Sequence, residues 1–168
     1  LGQGGFGIVF WAKDKKLNRD VAIKVLRDGL SEEAEDRFVR EAQICSRLRH
    51  PNIITIYDAS VARRQAYIVM EKLEAKDLGS VIGQEEPNVK KAIDIIRQVA
   101  SALSYLHSES VLHRDVKPQN VMLDVEGRAI LMDFNLGLDL ERTALTNTGV
   151  VVGTPRYMAP EVIQGLGY

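Results

Sequence analysis

The spacing of apolar positions changes along this chain. Residues 8–12, Ile8-Val9-Phe10-Trp11-Ala12, and 21–26, Val21-Ala22-Ile23-Lys24-Val25-Leu26, are β-branched and aromatic runs that predict two strands. The polar stretch 14–20, with Asn18, predicts the turn between them. From Ser31 the spacing lengthens to that of a helix. Ser31 is placed to cap it, Glu32 and Glu33 fall in its first turn, and Arg47 and Arg49 in its last. That charge order suits the helix dipole. Its inward face reads Ala34, Phe38, Glu41, Cys45, Leu48. Strands are predicted again at 53–57 and 66–70. Residues 73–83 are more polar and read as a connector, which sets a boundary between two lobes there. A longer helix is predicted over 88–107, with Val89, Ile93, Ile96, Ala100, Leu103 and Leu106 as its apolar positions. Short strands follow at 121–123 and 129–132, with Gly127 at the tight turn. Residues 135–154 are rich in Thr, Asn and Gly and predict a loop, and structureless loops of that length are usually functional.

Composition narrows the class. The 168 residues are 45% hydrophobic and 27% charged, which disfavours disorder and collagen-like repeats. Lys and Arg number 22 against 23 for Asp and Glu, a net charge of −1 that gives no global electrostatic case for a nucleic-acid partner. The single cysteine, Cys45, excludes an internal disulfide and fits a reducing, cytoplasmic compartment. No apolar run approaches the roughly 18 residues of a membrane span, so no membrane segment is expected in this chain; a longer parent could still be tethered. The chain starts without Met inside a glycine-rich run and stops soon after a dense motif, so both ends read as cut.

Gly2-x-Gly4-x-x-Gly7 is a weak signal by itself: glycines let backbone N–H groups approach phosphates. A dinucleotide fold needs a helix after such glycines, and strand-like residues 8–11 follow instead. The Gly-Lys-Ser/Thr of a Walker loop is absent. Lys24 lies on an apolar strand, where snorkelling to solvent is the ordinary explanation. Glu41, however, occupies the apolar face of its helix and needs a cation, and Lys24 is a candidate. The densest cluster is His113-Arg114-Asp115-Val116-Lys117-Pro118-Gln119-Asn120, followed thirteen residues after Asn120 by Asp133-Phe134-Asn135. Asn120 and Asp133 are oxygen ligands suited to Mg²⁺. Asp115 is placed to orient an attacking hydroxyl and Lys117 to neutralise a transferred phosphate.

The glycine motif with Val9, Val21-Ala22-Ile23-Lys24, Glu41, the 113–120 loop, Asp133-Phe134 and Ala159-Pro160-Glu161 resemble, in order and over nearly the whole chain, a eukaryotic-type protein kinase catalytic domain. Lys117 and Gly153-Thr154-Pro155-Arg156-Tyr157 resemble the serine/threonine class, and residues 146–149 are similar to the activation loop of bacterial members. The resemblance implies a two-lobed α+β fold. The N-lobe, residues 1–73, is an antiparallel sheet with one helix; the mainly helical C-lobe, 74–168, is incomplete and runs through the activation segment. It implies transfer of the ATP γ-phosphate to Ser and Thr hydroxyls of protein substrates, with Mg²⁺ or Mn²⁺.

By the same resemblance Leu1, Gly2, Gly4 and Gly7 cover the phosphates. Val9, Ala22 and Met122 sandwich the adenine, Met70 guards the pocket, the backbone of Glu71 and Leu73 meets the adenine edge, and Asp77 reaches the ribose. Lys24, held by Glu41, binds phosphate. Asp115 acts as base, assisted by Lys117, and Thr154 contacts both. A free aspartate carboxylate is a weak base at neutral pH, so positioning matters more than early deprotonation. Arg114 would order the loop around a phosphate on Thr146 or Thr148. Asn135 replaces the usual Gly, a swap Asn tolerates at positive φ. A non-catalytic pseudokinase-like nucleotide-binding module is the rival reading. The implied C-terminal helices, with the Arg that pairs Glu161, are missing, so this stretch alone is expected to be inactive and to aggregate or stay molten.

Overall fold

The structure is a computed structural model that describes residues 2–4, 7–26, 31–63, 65–84, 86, 88–133 and 155–163. Its first lobe is a five-stranded antiparallel sheet in the order β1-β2-β3-β5-β4, formed by β1 (Gly2–Gly4), β2 (Gly7–Asp14), β3 (Arg19–Leu26), β4 (Ile56–Ala62) and β5 (Gln65–Glu71). Helix α1 (Glu32–Cys45) packs on it. The second lobe holds the small sheet β6 (Ala75–Asp77), β7 (Val121–Asp124), β8 (Ala129–Leu131) and the helices α2 (Leu78–Ile82), α3 (Val89–Ser108) and α4 (Pro160–Ile163). The two-lobed α+β architecture is therefore as expected.

The turn between β2 and β3 forms because Asp14 accepts the N–H groups of Lys16 (3.0 Å) and Leu17 (3.1 Å), while Asn18 takes φ 49°. A Cβ on Gly7 would run into the carbonyl oxygen of Val25, so β2 can approach β3 this closely only with glycine there. Gly127 closes the β7–β8 turn at φ 81°. On α1, Phe38, Ala42 and Cys45 are buried, and Leu48 is buried just past its end; Glu41 is half-buried.

Four expectations need correction. The run 53–57 is not a strand of the first sheet: β4 starts at Ile56, and Ile53 and Ile54 are buried between the lobes. Ile54 N–H donates to Leu131 O at 2.9 Å and Leu131 N–H to Asn52 O at 2.8 Å, so this apolar run ties the first lobe to β8. Arg47 and Arg49 lie beyond α1, which ends at Cys45. Arg49 Nη1 instead donates to the carbonyls of Ser46 and Leu48, both at 2.7 Å, satisfying oxygens left over after the last turn. Residues 73–83 are not a bare connector: they form β6, paired with β7, and α2, capped by Asp77.

Finally, α3 buries Ile95, Ala102 and Leu106. Val89, Ile93 and Ile96, expected on the inward face, are 73%, 61% and 66% exposed. The described neighbours, β8 and residues 49–52, lie against other positions of the helix and leave these three uncovered among the described residues.

Candidate active site

Three backbone segments bring the expected residues together. Antiparallel pairing sets Val9 opposite Lys24 and Ala22 opposite Met70. Directly paired residues share a sheet face, so Lys24 and three of the residues expected around the adenine point the same way. Met70 is buried; Val9, Ala22, Leu73 and Met122 are half-buried and pack on the core. Met122 pairs with Asp77 across β6 and β7. Gly2 and Gly4 sit in β1, folded back on β2 opposite Val9 and Gly7.

Lys24 reaches across the lobes. Its Nζ donates to Oδ1 of Asp133 at 2.6 Å. Asp133 follows Met132, which is held twice: its N–H donates to Asn120 O at 2.9 Å, and its carbonyl lies 2.9 Å from His113 Nε2. The Asp115 N–H lies 3.3 Å from His113 Nδ1 and can only donate, so Nδ1 accepts and the ring proton sits on Nε2, facing Met132 O. Burial holds His113 below its ordinary pKa, against the opposing pull of Met132 O and the nearby Asp115 and Asp133, which favours the neutral ring.

The loop that follows is closed on itself. Lys117 Nζ lies 2.7 Å from Asp115 Oδ2. Asn120, buried, donates Nδ2–H to Asp115 O (2.8 Å) and to Asp115 Oδ2 (2.7 Å). With that nitrogen committed, Asn120 Oδ1 is the atom left for a cation. With Lys24 on Oδ1 of Asp133, Oδ2 is the second such oxygen. Asp115 keeps Oδ1 for a hydroxyl. Arg114 (φ 65°) and Asp133 (φ 60°) both take left-handed backbone. For non-glycine residues this costs on the order of 1–3 kcal/mol and clusters at active sites.

Glu41 departs from expectation. It does not pair with Lys24, which is engaged by Asp133. Burial raises the Glu41 pKa, and the charges of Arg114 and then Arg37 oppose that shift. Glu71 gives its N–H to Thr55 O (2.9 Å), which removes that group from any adenine contact, and its Oε1 accepts Thr55 N–H at 2.7 Å. Asp77 accepts from the Ser80 hydroxyl (2.5 Å) and N–H (2.9 Å); these bonds, the hydroxyl first, hold its carboxyl below the usual range. Leu1, Phe134, Asn135, Thr146, Thr148 and Thr154 lie outside the described residues.

Cys45 is buried, and burial first, then the charge of Glu41, pushes its thiol up to about 12, the inert state expected of a core cysteine. Sequence reasoning missed the polar tie behind the site. Asn52 Nδ2 donates to Gln98 Oε1 and to Ala129 O, both at 2.8 Å, and Gln98 Oε1 also accepts the Ala129 N–H at 2.9 Å. Gln98 falls three residues after Ile95 and four before Ala102, so a polar residue on the buried stripe of α3 was the available signal.

A family model for the protein kinase domain matches residues 1–168. The serine/threonine-protein kinase PrkC of Bacillus subtilis is 39% identical over 168 residues, 98% of this chain and 26% of PrkC. The serine/threonine-protein kinase PknB of Mycobacterium tuberculosis is 38% identical over 174 residues, 98% of this chain and 28% of PknB. The crystal structure of the Mycobacterium tuberculosis PknI kinase domain superposes with a TM-score of 0.79 at 30% identity, over 98% of this chain and 63% of that one. The chain thus spans about a quarter of the length of these curated relatives. With the Lys24–Asp133 contact, the self-closed Asp115–Asn120 loop and the match over every residue taken together, the chain belongs to the protein kinase domain family.

Proposed function

We propose that the protein of which this chain is part transfers the γ-phosphate of ATP to serine and threonine hydroxyls of protein substrates. The observation that carries this reading is that the Lys24–Asp133 pair and the Asp115–Lys117–Asn120 cluster are tied together by the Met132–Asn120 backbone bond. Asp115 Oδ1 would orient the hydroxyl, and Lys117 would offset charge on the phosphoryl group in flight. Lys24 would hold phosphate, and Val9, Ala22 and Met122 the adenine. Asn120 Oδ1 and Asp133 Oδ2 suit Mg²⁺ or Mn²⁺, hard cations that complete their shells with phosphate oxygens and water. Such an ion, when bound, would screen the charge of the phosphates. Among the described residues no helix is long and apolar enough to cross a membrane. An ATP-using site and an unpaired thiol fit a cytoplasmic location.

Regulation by loop phosphorylation is a further part of this proposal, and the charge of Arg114 acting on Glu41 supports it. A phosphate on Thr146 or Thr148 would draw Arg114 by its charge of about −1.5 to −2 and leave Glu41 to turn to Lys24. Phosphopeptide mapping of active protein is expected to find at least one of the two modified.

The reading is tested by incubating the full-length protein with labelled ATP and a protein substrate, followed by phosphoamino-acid analysis. Phosphoserine or phosphothreonine is expected from wild type and almost none from Lys24→Met. Equal incorporation by both would overturn it; nucleotide binding without transfer would favour the pseudokinase-like module.

A further inference from the structure

We propose that Trp11, held against the interlobe linker by Lys72, forms the outer wall of the nucleotide site and sets nucleotide affinity. The proposal rests on the reading that a nucleotide sits beneath Val9 and Ala22. Pairing aligns Trp11 with Ala22, Ala22 with Met70, and Met70 with Ile56, one row across four strands. Directly opposed residues share a face, so the indole lies on the same face as Ala22, Met70, Val9 and Lys24, at the open end of that row.

Lys72, in the linker between β5 and β6, crosses to it. Its Nζ sits 3.5 Å from the centroid of the Trp11 ring. Glu74, 3.6 Å from Lys72 Nζ, steadies the ammonium. An ammonium over an indole face is the strongest of the aromatic pairings of this type. It here joins the strand that follows the glycine run to the segment that connects the lobes. Trp11 as a residue is still 57% exposed. A large flat apolar group left open beside Ala22 has surface for a second flat partner, and a purine base is one. Trp11 is also the single tryptophan of the sequence.

The test is calorimetric titration of the full-length protein with ADP and Mg²⁺, together with ATP kinetics. Trp11→Leu is expected to weaken ADP binding by about tenfold, the lower part of the range for losing base–aromatic stacking. Lys72→Met is expected to weaken it by about two- to fivefold, as for a lost exposed cation–π contact. The double variant should be no weaker than Trp11→Leu, since Lys72 acts through the ring. In kinetics the change falls on KM for ATP rather than on kcat. Trp11→Phe, which keeps an aromatic face, should fold and bind ADP within about threefold of wild type. It should also reduce the indole-to-mant energy transfer seen with mant-ADP in wild type. Wild-type affinity in Trp11→Leu and Lys72→Met, losses confined to kcat, or energy transfer undiminished in Trp11→Phe would overturn the clasp alone. No nucleotide binding by wild type would overturn the ATP reading with it.

Discussion

Helices α1 and α3 carry apolar stripes of similar quality, yet the molecule covers them differently. On α1 the stripe of Phe38, Ala42 and Cys45 is buried against the first sheet. On α3 the covered stripe is Ile95, Ala102 and Leu106, and a second line, Val89, Ile93 and Ile96, faces outward. Periodicity therefore identifies an amphipathic helix, but which line of a broad apolar surface is buried depends on the neighbour. Across α1 the neighbour is an adjacent sheet built from the same stretch of chain. Across α3 it is β8, more than twenty residues further on.

The comparison can be broken most sharply by truncating one residue in each helix. Phe38 is fully buried, and Phe38→Ala is expected to cost about 3–5 kcal/mol in denaturant unfolding of the full-length protein. Ile93→Ala should cost less, because Ile93 is 61% exposed among the described residues. Comparable losses at the two positions would show that α3 is covered in solution. Asn52→Ala should fall between them, at about 1–3 kcal/mol, because it strands the buried carbonyl of Ala129 and removes one of the two donors to Gln98 Oε1. An Asn52 variant as stable as wild type would mean that the interlobe tie contributes nothing.

Two smaller effects are pH-dependent. The His113 pKa is depressed by burial in the folded protein, so its contribution is present above the ordinary value of 6.5 and is lost as pH falls below it. Melting temperature should drop through that window, and His113→Gln should flatten the drop. For Cys45 the sign reverses. Its folded pKa of about 12 stands above the ordinary 9.0, so the buried thiol contributes stability below pH 9 that is lost as pH rises toward 12. Alkylation of native protein by iodoacetamide should be slow at pH 8, and rapid labelling would show α1 opening readily.

Much of this was legible in the chain. Strands β2, β3, β5, β7 and β8 announced themselves by β-branched runs, and Asp115, Asn120 and Asp133 by their order and spacing. What escaped were relationships set by tertiary partners. Local pattern matched Lys24 with Glu41; the cross-lobe contact with Asp133 depends on how β8 is tied to residues 52–54. Ile53 and Ile54 looked like strand because burial between lobes and burial in a sheet select the same side chains. Short pieces such as β6 and α2 are too brief to show a period; pairing with β7 defines the first and the Asp77–Ser80 capping bonds open the second.

The proposed role of Asp115, fixed by Asn120 and Lys117, is to position the hydroxyl that receives phosphate. Single-turnover phosphate transfer by the full-length protein, wild type against Asp115→Asn, tests it most directly, with nucleotide affinity measured alongside. The transfer rate is expected to fall by about 10²- to 10⁴-fold while the nucleotide Kd stays within about twofold. Transfer at the wild-type rate by Asp115→Asn would contradict it.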